Sequence, residues 1–353
     1  MEEPSILPFP YQFKEISDEE KSIIKRVYNA PIASECVRVG PKGYIVYKPY
    51  INDAENIYNM PLRPTDVFVA SYQRSGTTWT QELVWLLVND LDYSTAAAIP
   101  LTARYQFLEI FMYFGEEGQD SYLNSSINMA NVDMNKLFEI MKLWSTPATQ
   151  LLANAPSPRF VKTHLPLTLL SPKILETAKV VYVARDPRDV VVSCYHHARL
   201  LTVTAYSGTF KEFWNLFHKS LFTLTPYFEH VKEAWDKRHN PNLLFLFYEE
   251  LSKDLPTVIH RVADFLGKQL DDDQMAKLCD HLSFKNFKNN ISVNYEDLRE
   301  FGLMDENETF VRKGKVGGWR DYFDEDMTQQ ADQWINDNLQ DTDLRFPSTN
   351  LIE

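Results

Sequence analysis

The chain has 353 residues, enough for one large α/β domain or two smaller ones, and its 44% apolar and 13% aromatic content excludes general disorder. The formal net charge is −13, from 36 basic against 49 acidic residues. Non-specific nucleic-acid binding is thereby excluded, since it rests on basic patches, and an anionic ligand must be met by locally concentrated cations. Three cysteines, Cys36, Cys194 and Cys279, are too few and too scattered for a disulfide framework or a zinc site, so no metal is expected. The acidic, proline-bearing stretch Met1–Lys14 has no apolar h-region, and no run of 18 apolar residues occurs. A cytoplasmic chain without a membrane span is the expectation. The sequons at Asn124 and Asn307 then carry no weight.

The first clear strand pattern is the apolar, β-branched run Val67–Tyr72. It leads into Gln73-Arg74-Ser75-Gly76-Thr77-Thr78-Trp79 and a helical pattern over Thr78–Asn89, with Leu83, Leu86 and Leu87 available for one face. A glycine that lets backbone amides converge, three hydroxyls, a full positive charge and a helix N-terminus suit one phosphate-like anion. The nucleotide-triphosphate pattern G-x-x-x-x-G-K-[ST] is absent. Alone, the segment also fits a tight βα turn with a capping threonine.

Residues 115–158 are polar, rich in Asn, Ser and Met, and carry no strand run. They read as a lid, an insertion or a surface excursion. A second strand follows at Phe160–Thr163, with Lys162 and His164 two apart at its end. Period-two alternation puts both side chains on one side. A histidine there suits a general base, and a lysine beside it can neutralise developing charge. A third strand, Lys179–Ala184, ends in Arg185-Asp186-Pro187-Arg188-Asp189 and opens a helix over Arg188–Leu201. Arg185 and Ser193 suit a second anion; a capped helix with a surface ion pair is the plainer alternative.

Helices are expected over Phe210–Lys237 and Glu249–Leu266, flanking a fourth strand at Leu243–Tyr248. Arg312 to Arg320 then packs four basic residues and three glycines into nine positions of an acidic chain. Such a loop can wrap an anion with amides and side chains together. Strands alternating with helices predict an α/β fold: one domain spanning residues 1–353, its central parallel sheet flanked by helices, with ligands outside the carboxyl ends of the strands.

Taken together, these segments resemble the cytosolic sulfotransferase family, whose donor is PAPS (3′-phosphoadenosine 5′-phosphosulfate). Four matches fall in the family's order: Tyr72–Trp79, Lys162–Pro166, Arg185 through Ser193, and Arg312–Gly314. Around Tyr44–Tyr47 and Leu221–Trp235 the similarity leans toward an insect branch that dehydrates retinol. The resemblance implies a P-loop-like fold in which Arg74, Ser75, Gly76, Thr77 and Thr78 hold the 5′-phosphosulfate. Arg185, Ser193, Arg312, Lys313 and Gly314 would hold the 3′-phosphate. Trp79 and Phe284 would stack on adenine, with Tyr248 and Ser283 bordering it. His164 would be the base, with Lys162 and Arg74 stabilising the group in flight.

The implied acceptor is a small hydrophobic alcohol, phenol, steroid or retinoid, with PAP as the other product. Residues 1–62 would partly cover its site. Tyr105, Phe107, Phe111, Met112, Tyr113 and Phe114, then Tyr195, His196 and His197, are candidate walls, because aromatic and Met-rich surfaces suit an apolar alcohol. Of these, Tyr105, Phe107, Phe111, Tyr195 and His197 are the substrate candidates. Sulfate elimination, as in retinol to anhydroretinol, is a further implication.

Three departures stand out. Gln73-Arg74 replaces the family's Pro-Lys, Gly318 replaces an Asp before Trp319, and Arg320-Asp321-Tyr322-Phe323-Asp324-Glu325 stands where the family's dimer motif begins. A homodimer stays open without that motif. Two other classes compete: a non-catalytic nucleotide- or lipid-binding module, against which Lys162 and His164 count, and a kinase, which lacks its Gly-Lys-Ser/Thr loop.

Overall fold

Four apolar runs of four to six residues become four of the five strands of one parallel sheet, because both faces of such strands are covered and nothing in them needs to face water. The computed structural model describes residues 6–115 and 134–347. Its strands are β1 (Lys14–Glu15), β2 (Cys36–Val39), β3 (Tyr44–Tyr47), β4 (Val67–Ala70), β5 (Gln106–Phe107), β6 (Phe160–Thr163), β7 (Lys179–Ala184) and β8 (Leu243–Phe247). The main sheet runs β5-β6-β4-β7-β8, all parallel. β4 lies between β6 and β7, so the chain crosses from one side of it to the other and opens a crevice beyond the carboxyl ends. The loops that open there are Tyr72–Gly76, His164–Pro166 and Arg185–Asp186. This is the single α/β fold, with a central parallel sheet flanked by helices, that the strand–helix alternation predicts.

The structure departs from the expectations in three places. The short β5 and the antiparallel sheet β1-β2-β3 are not among the expected strands. Tyr44, Ile45 and Val46 are almost wholly buried, so β3 reads as an unbroken apolar run with no alternation to flag it. The helix expected over Phe210–Lys237 is two helices, Phe210–His218 and Tyr227–Asp236. Between them Ser220 and Leu224 take positive φ values of 54° and 65°. There the backbone bonds to β3, Leu224 N to Ile45 O at 2.7 Å and Ile45 N to Thr225 O at 3.1 Å. Those groups are therefore lost to any helix. The helix expected over Glu249–Leu266 divides at Asp254, whose carboxylate accepts the Thr257 N–H and starts Leu255–Leu266 with Pro256 in its first turn.

Two large apolar clusters cover the sheet. One takes in β2, β3 and the helices Pro187–Leu200, Phe210–His218 and Tyr227–Asp236; the other takes in the helices Thr77–Val88 and Leu255–Leu266. Of residues 115–158, positions 116–133, with the sequon Asn124, lie outside the described residues; the remainder supplies the helices Met134–Trp144 and Ala148–Asn154. No described helix is long and apolar enough to cross a membrane.

Candidate active site

The turn after β4 places Gly76 at φ +108° immediately before the helix Thr77–Val88, so that helix begins with its free amides turned to the crevice. A Cβ at Gly76 would stand 2.7 Å from the Tyr248 ring, so glycine is required on both counts. Arg74 also takes a left-handed conformation, φ 66°. Its Nε donates to Ser193 Oγ at 3.2 Å and its Nη2 to the Phe310 carbonyl at 2.8 Å, while the guanidinium lies 4.4 Å from the Phe310 ring centre. Burial, with Arg185 and Arg312 beside it, pulls the Arg74 guanidinium down to about 10.

Arg185 leaves the end of β7 and lies 4.1 Å over the Tyr248 ring, with Nη1 and Nη2 toward the carbonyls of Arg74 and Lys315 at 3.4 and 3.2 Å. The glycine-rich segment 312–318 is drawn over the same crevice by Asp189, which accepts the N–H groups of Gly317 at 2.7 Å and Trp319 at 2.9 Å. Gly314, at φ 59°, sits so close to Phe284 that a Cβ would meet the ring at 2.3 Å. Trp79 is fixed by its indole N–H on the Leu282 carbonyl at 2.9 Å and stands edge-on to Tyr248. Ser283 caps the helix Phe284–Asn289.

The second cluster stands at the end of β6. His164 Nδ1 lies 3.0 Å from the Ser71 carbonyl, which can only accept, so Nδ1 carries the proton and Nε2 keeps its lone pair. Burial, then the neighbouring Lys162 charge, holds His164 well below the usual histidine range, and it is neutral near pH 7. Its backbone is clamped from two directions. Glu109 accepts the His164 N–H through Oε1 and the Thr163 hydroxyl through Oε2, the latter at 2.8 Å, and His230 Nε2 lies 2.7 Å from the His164 carbonyl. Lys162 lies 4.1 Å over the Phe107 ring. Burial pulls its ammonium below the ordinary lysine range, and Glu109 opposes that pull.

One continuous cavity of about 470 Å³ joins these groups. Its walls include Arg74, Gly76, Thr77, Thr78, Trp79, Lys162, His164, Arg185, Ser193, Tyr248, Phe284, Arg312, Lys313 and Gly314. Beyond Lys162 and His164 the walls turn apolar, through Phe107, Ile110, Tyr113, Phe114, Trp144 and Phe222, with Tyr28 and Tyr47 from the first 62 residues. Ser75 and Ser283 do not line it directly. Of the expected acceptor walls, Tyr105, Phe107, Tyr113, Phe114 and His197 line it, and Phe111, Met112, Tyr195 and His196 do not. Tyr195 instead packs into the core against Tyr206, Phe210 and Phe213, because helical spacing turns it away from the face that carries Ser193 and His197. His197 has burial and the charges of Arg74 and Lys162 holding it well below the usual histidine range.

Glu109 and Phe310 support these groups and stand outside the expected site residues. A lone carboxylate inside Phe107-Leu108-Glu109-Ile110-Phe111 is the signal for Glu109: at 1% exposure it needs donors, and it has two. Phe310 carries no such mark, since its part is played by a backbone carbonyl and a ring face. Among the buried polar atoms of the described residues that have no partner are Ser75 Oγ, in the turn after β4, and Arg185 Nε. Together with two glycine positions where no side chain fits, they are groups that an anion could satisfy.

A model of the sulfotransferase domain matches residues 64–343. The chain is 34% identical over 340 residues to luciferin sulfotransferase of Photinus pyralis, covering 92% of this chain and 85% of that protein. It is 31% identical over 306 residues to sulfotransferase 1B1 of Mus musculus, covering 86% and 92%. Among solved structures it is 57% identical to retinol dehydratase in complex with retinol and PAP, with a TM-score of 0.93 and 97% and 100% of the two chains covered. Another solved complex of retinol dehydratase, with androsterone and PAP, has the same identity and TM-score. The matched span takes in the five parallel strands and the Lys162–His164 pair, and the chain belongs to the sulfotransferase family.

Proposed function

We propose that the protein transfers the sulfuryl group of PAPS to the hydroxyl of a small hydrophobic acceptor, and that with a conjugated polyene alcohol the sulfate is then eliminated. The observation that carries this reading is the single cavity, cationic at one end and aromatic at the other, with His164 and Lys162 where the two halves meet.

In this reading Ser75, Gly76, Thr77 and Thr78 receive the 5′-phosphosulfate on hydroxyls and helix amides, and Arg185, Ser193, Arg312, Lys313 and Gly314 receive the 3′-phosphate. Trp79 and Phe284 flank adenine. The acceptor hydroxyl lies against His164 Nε2, whose lone pair takes its proton as the oxygen attacks sulfur. Lys162 and Arg74 carry the charge that collects on the transferred group and the leaving phosphate. In-line placement and charge stabilisation supply most of the barrier reduction. Arg74 supplies two forked donors where a lysine would supply a point charge.

The retinoid branch of the proposal is supported by the likeness to retinol dehydratase over 97% of the chain and by the aromatic far half of the cavity. Sulfation converts a poor leaving group into a good one. A polyene alcohol ester can lose sulfate and a proton, so that alcohol and PAPS become the dehydrated polyene, sulfate and PAP. The protein's contribution is to hold the ester in a wall without water. The test is incubation with PAPS and retinol, with chromatography for anhydroretinol, alongside a panel of phenols and steroids. Only stable ester from retinol would remove the elimination step, and no sulfated product from any acceptor would remove the transfer.

A further inference from the structure

The segment that replaces the family's dimer motif, Arg320–Glu325, has a use inside this chain. Tyr322 stands beside the loop that carries Arg312 and Lys313. Its hydroxyl oxygen accepts from Arg312 Nη1 at 3.2 Å. Both loop cations lie against its ring, the Arg312 guanidinium at 5.7 Å and the Lys313 ammonium at 5.9 Å from the centre. Lys313 is also paired at 3.5 Å with Asp321, the preceding residue.

Tyr322 is in turn held from behind. His196 Nε2 is 2.8 Å from its hydroxyl, and His196 Nδ1 is 3.1 Å from Glu308 Oε2. The other Glu308 oxygen is taken by Arg199 at 3.4 Å. The directions of these bonds follow from chemistry. A carboxylate only accepts, so His196 Nδ1 bears the proton and Nε2 accepts from the Tyr322 hydroxyl. The tyrosine oxygen is left with lone pairs for Arg312. Burial and the Arg312 charge lower the His196 imidazole, against the pull of Glu308, which keeps it in this neutral form near pH 7. The result is a one-way chain: Arg312 donates to Tyr322, Tyr322 to His196, and His196 to Glu308.

Only one Arg312 nitrogen is used in that chain, which leaves the rest of the guanidinium for the cavity that Arg312 lines. The geometry also joins two elements. His196 is on the helix Pro187–Leu200, one turn from Ser193, whereas Tyr322 follows the loop. A fork held at one corner and aimed by a rigid ring loses less freedom on binding an anion than a free one.

We propose that Tyr322, fixed by His196 and Glu308, is a positioning residue that presets the Arg312–Lys313 loop and so sets selectivity for nucleotides bearing a 3′-phosphate. The inference rests on the assignment of Arg312 and Lys313 to the 3′-phosphate.

The experiment is calorimetric titration of the full chain with PAP and with adenosine 5′-phosphate, which lacks the 3′ group, for the wild type, Y322F, H196A, Y322F/H196A and R312A. Y322F keeps the ring and deletes one hydroxyl, so the fold is retained. It is expected to weaken PAP about tenfold, the scale of one hydrogen bond to a charged group, and to leave adenosine 5′-phosphate unchanged. H196A is expected to weaken PAP alone, and the double variant to lose little more than Y322F, because both act through one chain. Equal losses for the two nucleotides in Y322F, or no loss for either while R312A selectively weakens PAP, would overturn the positioning role alone. No selective loss in R312A itself would overturn the 3′-phosphate assignment and this inference together.

Discussion

Replacing Glu109 by glutamine changes one oxygen to an amide nitrogen and, on the alkaline side of about 7, to which burial raises this carboxyl, removes a buried negative charge. Both Glu109 oxygens accept, one from the His164 N–H and one from the Thr163 hydroxyl, and Thr163 Oγ1 itself accepts the Leu165 N–H at 3.1 Å. A glutamine can accept the His164 N–H through its oxygen and donate to Thr163 Oγ1 through its NH2, but the threonine proton then loses its charged acceptor. Losing a hydrogen bond to a charged acceptor costs about 1.5–3 kcal/mol, which loosens the strand end that carries the proposed base. The charge has a second effect. Burial lowers Lys162 and Glu109 raises it, so with Glu109 neutralised the lysine falls further. An opposite charge a few ångströms away is worth about one to three pKa units.

The chemistry proposed for Lys162 needs the ammonium form. Activity is therefore lost as pH rises through its pKa, and a lower pKa moves that loss to lower pH. The measurement is kcat against pH at saturating PAPS and acceptor for wild type and E109Q. The alkaline limb is expected to move acidward by about one unit or more, with kcat at its plateau also reduced. An alkaline limb that stays in place, or moves to higher pH, would refute the coupling of Glu109 to Lys162.

Other outcomes can be checked directly. His164→Ala should lower kcat by about 10²–10⁴-fold with little change in PAP affinity, measured by radiolabelled sulfate transfer. Gly314→Ala puts a methyl group 2.3 Å from the Phe284 ring at a positive φ; the loop must move, so KM for PAPS should rise at least about tenfold while thermal unfolding stays close to wild type. Arg74→Lys cannot reach both Ser193 Oγ and the Phe310 carbonyl while keeping its ring contact, and PAP affinity by calorimetry should fall by about one order of magnitude. Saturating PAP at about 100 times its Kd should stabilise the fold by roughly 2.7 kcal/mol, read as a rise in melting temperature.

The inner strands were legible because an unbroken apolar run between turn signals has few other ways to be buried. β6 and β7 begin and end at the expected residues, Phe160–Thr163 and Lys179–Ala184. The same property hid β3: a wholly buried Tyr44–Tyr47 has no polar face to betray its period. The break between His218 and Tyr227 was illegible for a different reason. It is imposed by hydrogen bonds to β3, 170 or more residues earlier in the chain, and local periodicity holds no record of them. The groups around the cavity split along similar lines. Lys162, His164, Arg185 and Arg312 stand out by residue type at a strand end or beside glycine. What Arg74 does with the Phe310 carbonyl, or Tyr322 with Arg312, depends on contacts 236 and 10 residues apart that only the folded chain creates.

A chain of net charge −13 places Arg74, Lys162, Arg185, Arg312, Lys313 and Lys315 around one cavity whose walls, among the described residues, include a single carboxylate, Asp189. That carboxylate is already committed to the Gly317 and Trp319 amides. Four of the cations are spaced instead by neutral contacts: Arg74 on Phe310 and a carbonyl, Arg185 on Tyr248 and two carbonyls, Lys162 on Phe107, Arg312 on Tyr322, while Lys313 meets Asp321 at 3.5 Å. A paired salt bridge would have satisfied each charge within the fold and left little for a ligand. Aromatic faces and carbonyl oxygens orient the charges without cancelling them, so the attraction for an anion is kept at full strength in a partly desolvated site. The same arrangement explains why His164 and His197 remain neutral. Surrounded by cations and by apolar walls, an imidazole here gains nothing from a proton. A site built to bind anions thereby also holds its histidine in the basic form that abstraction of a hydroxyl proton requires.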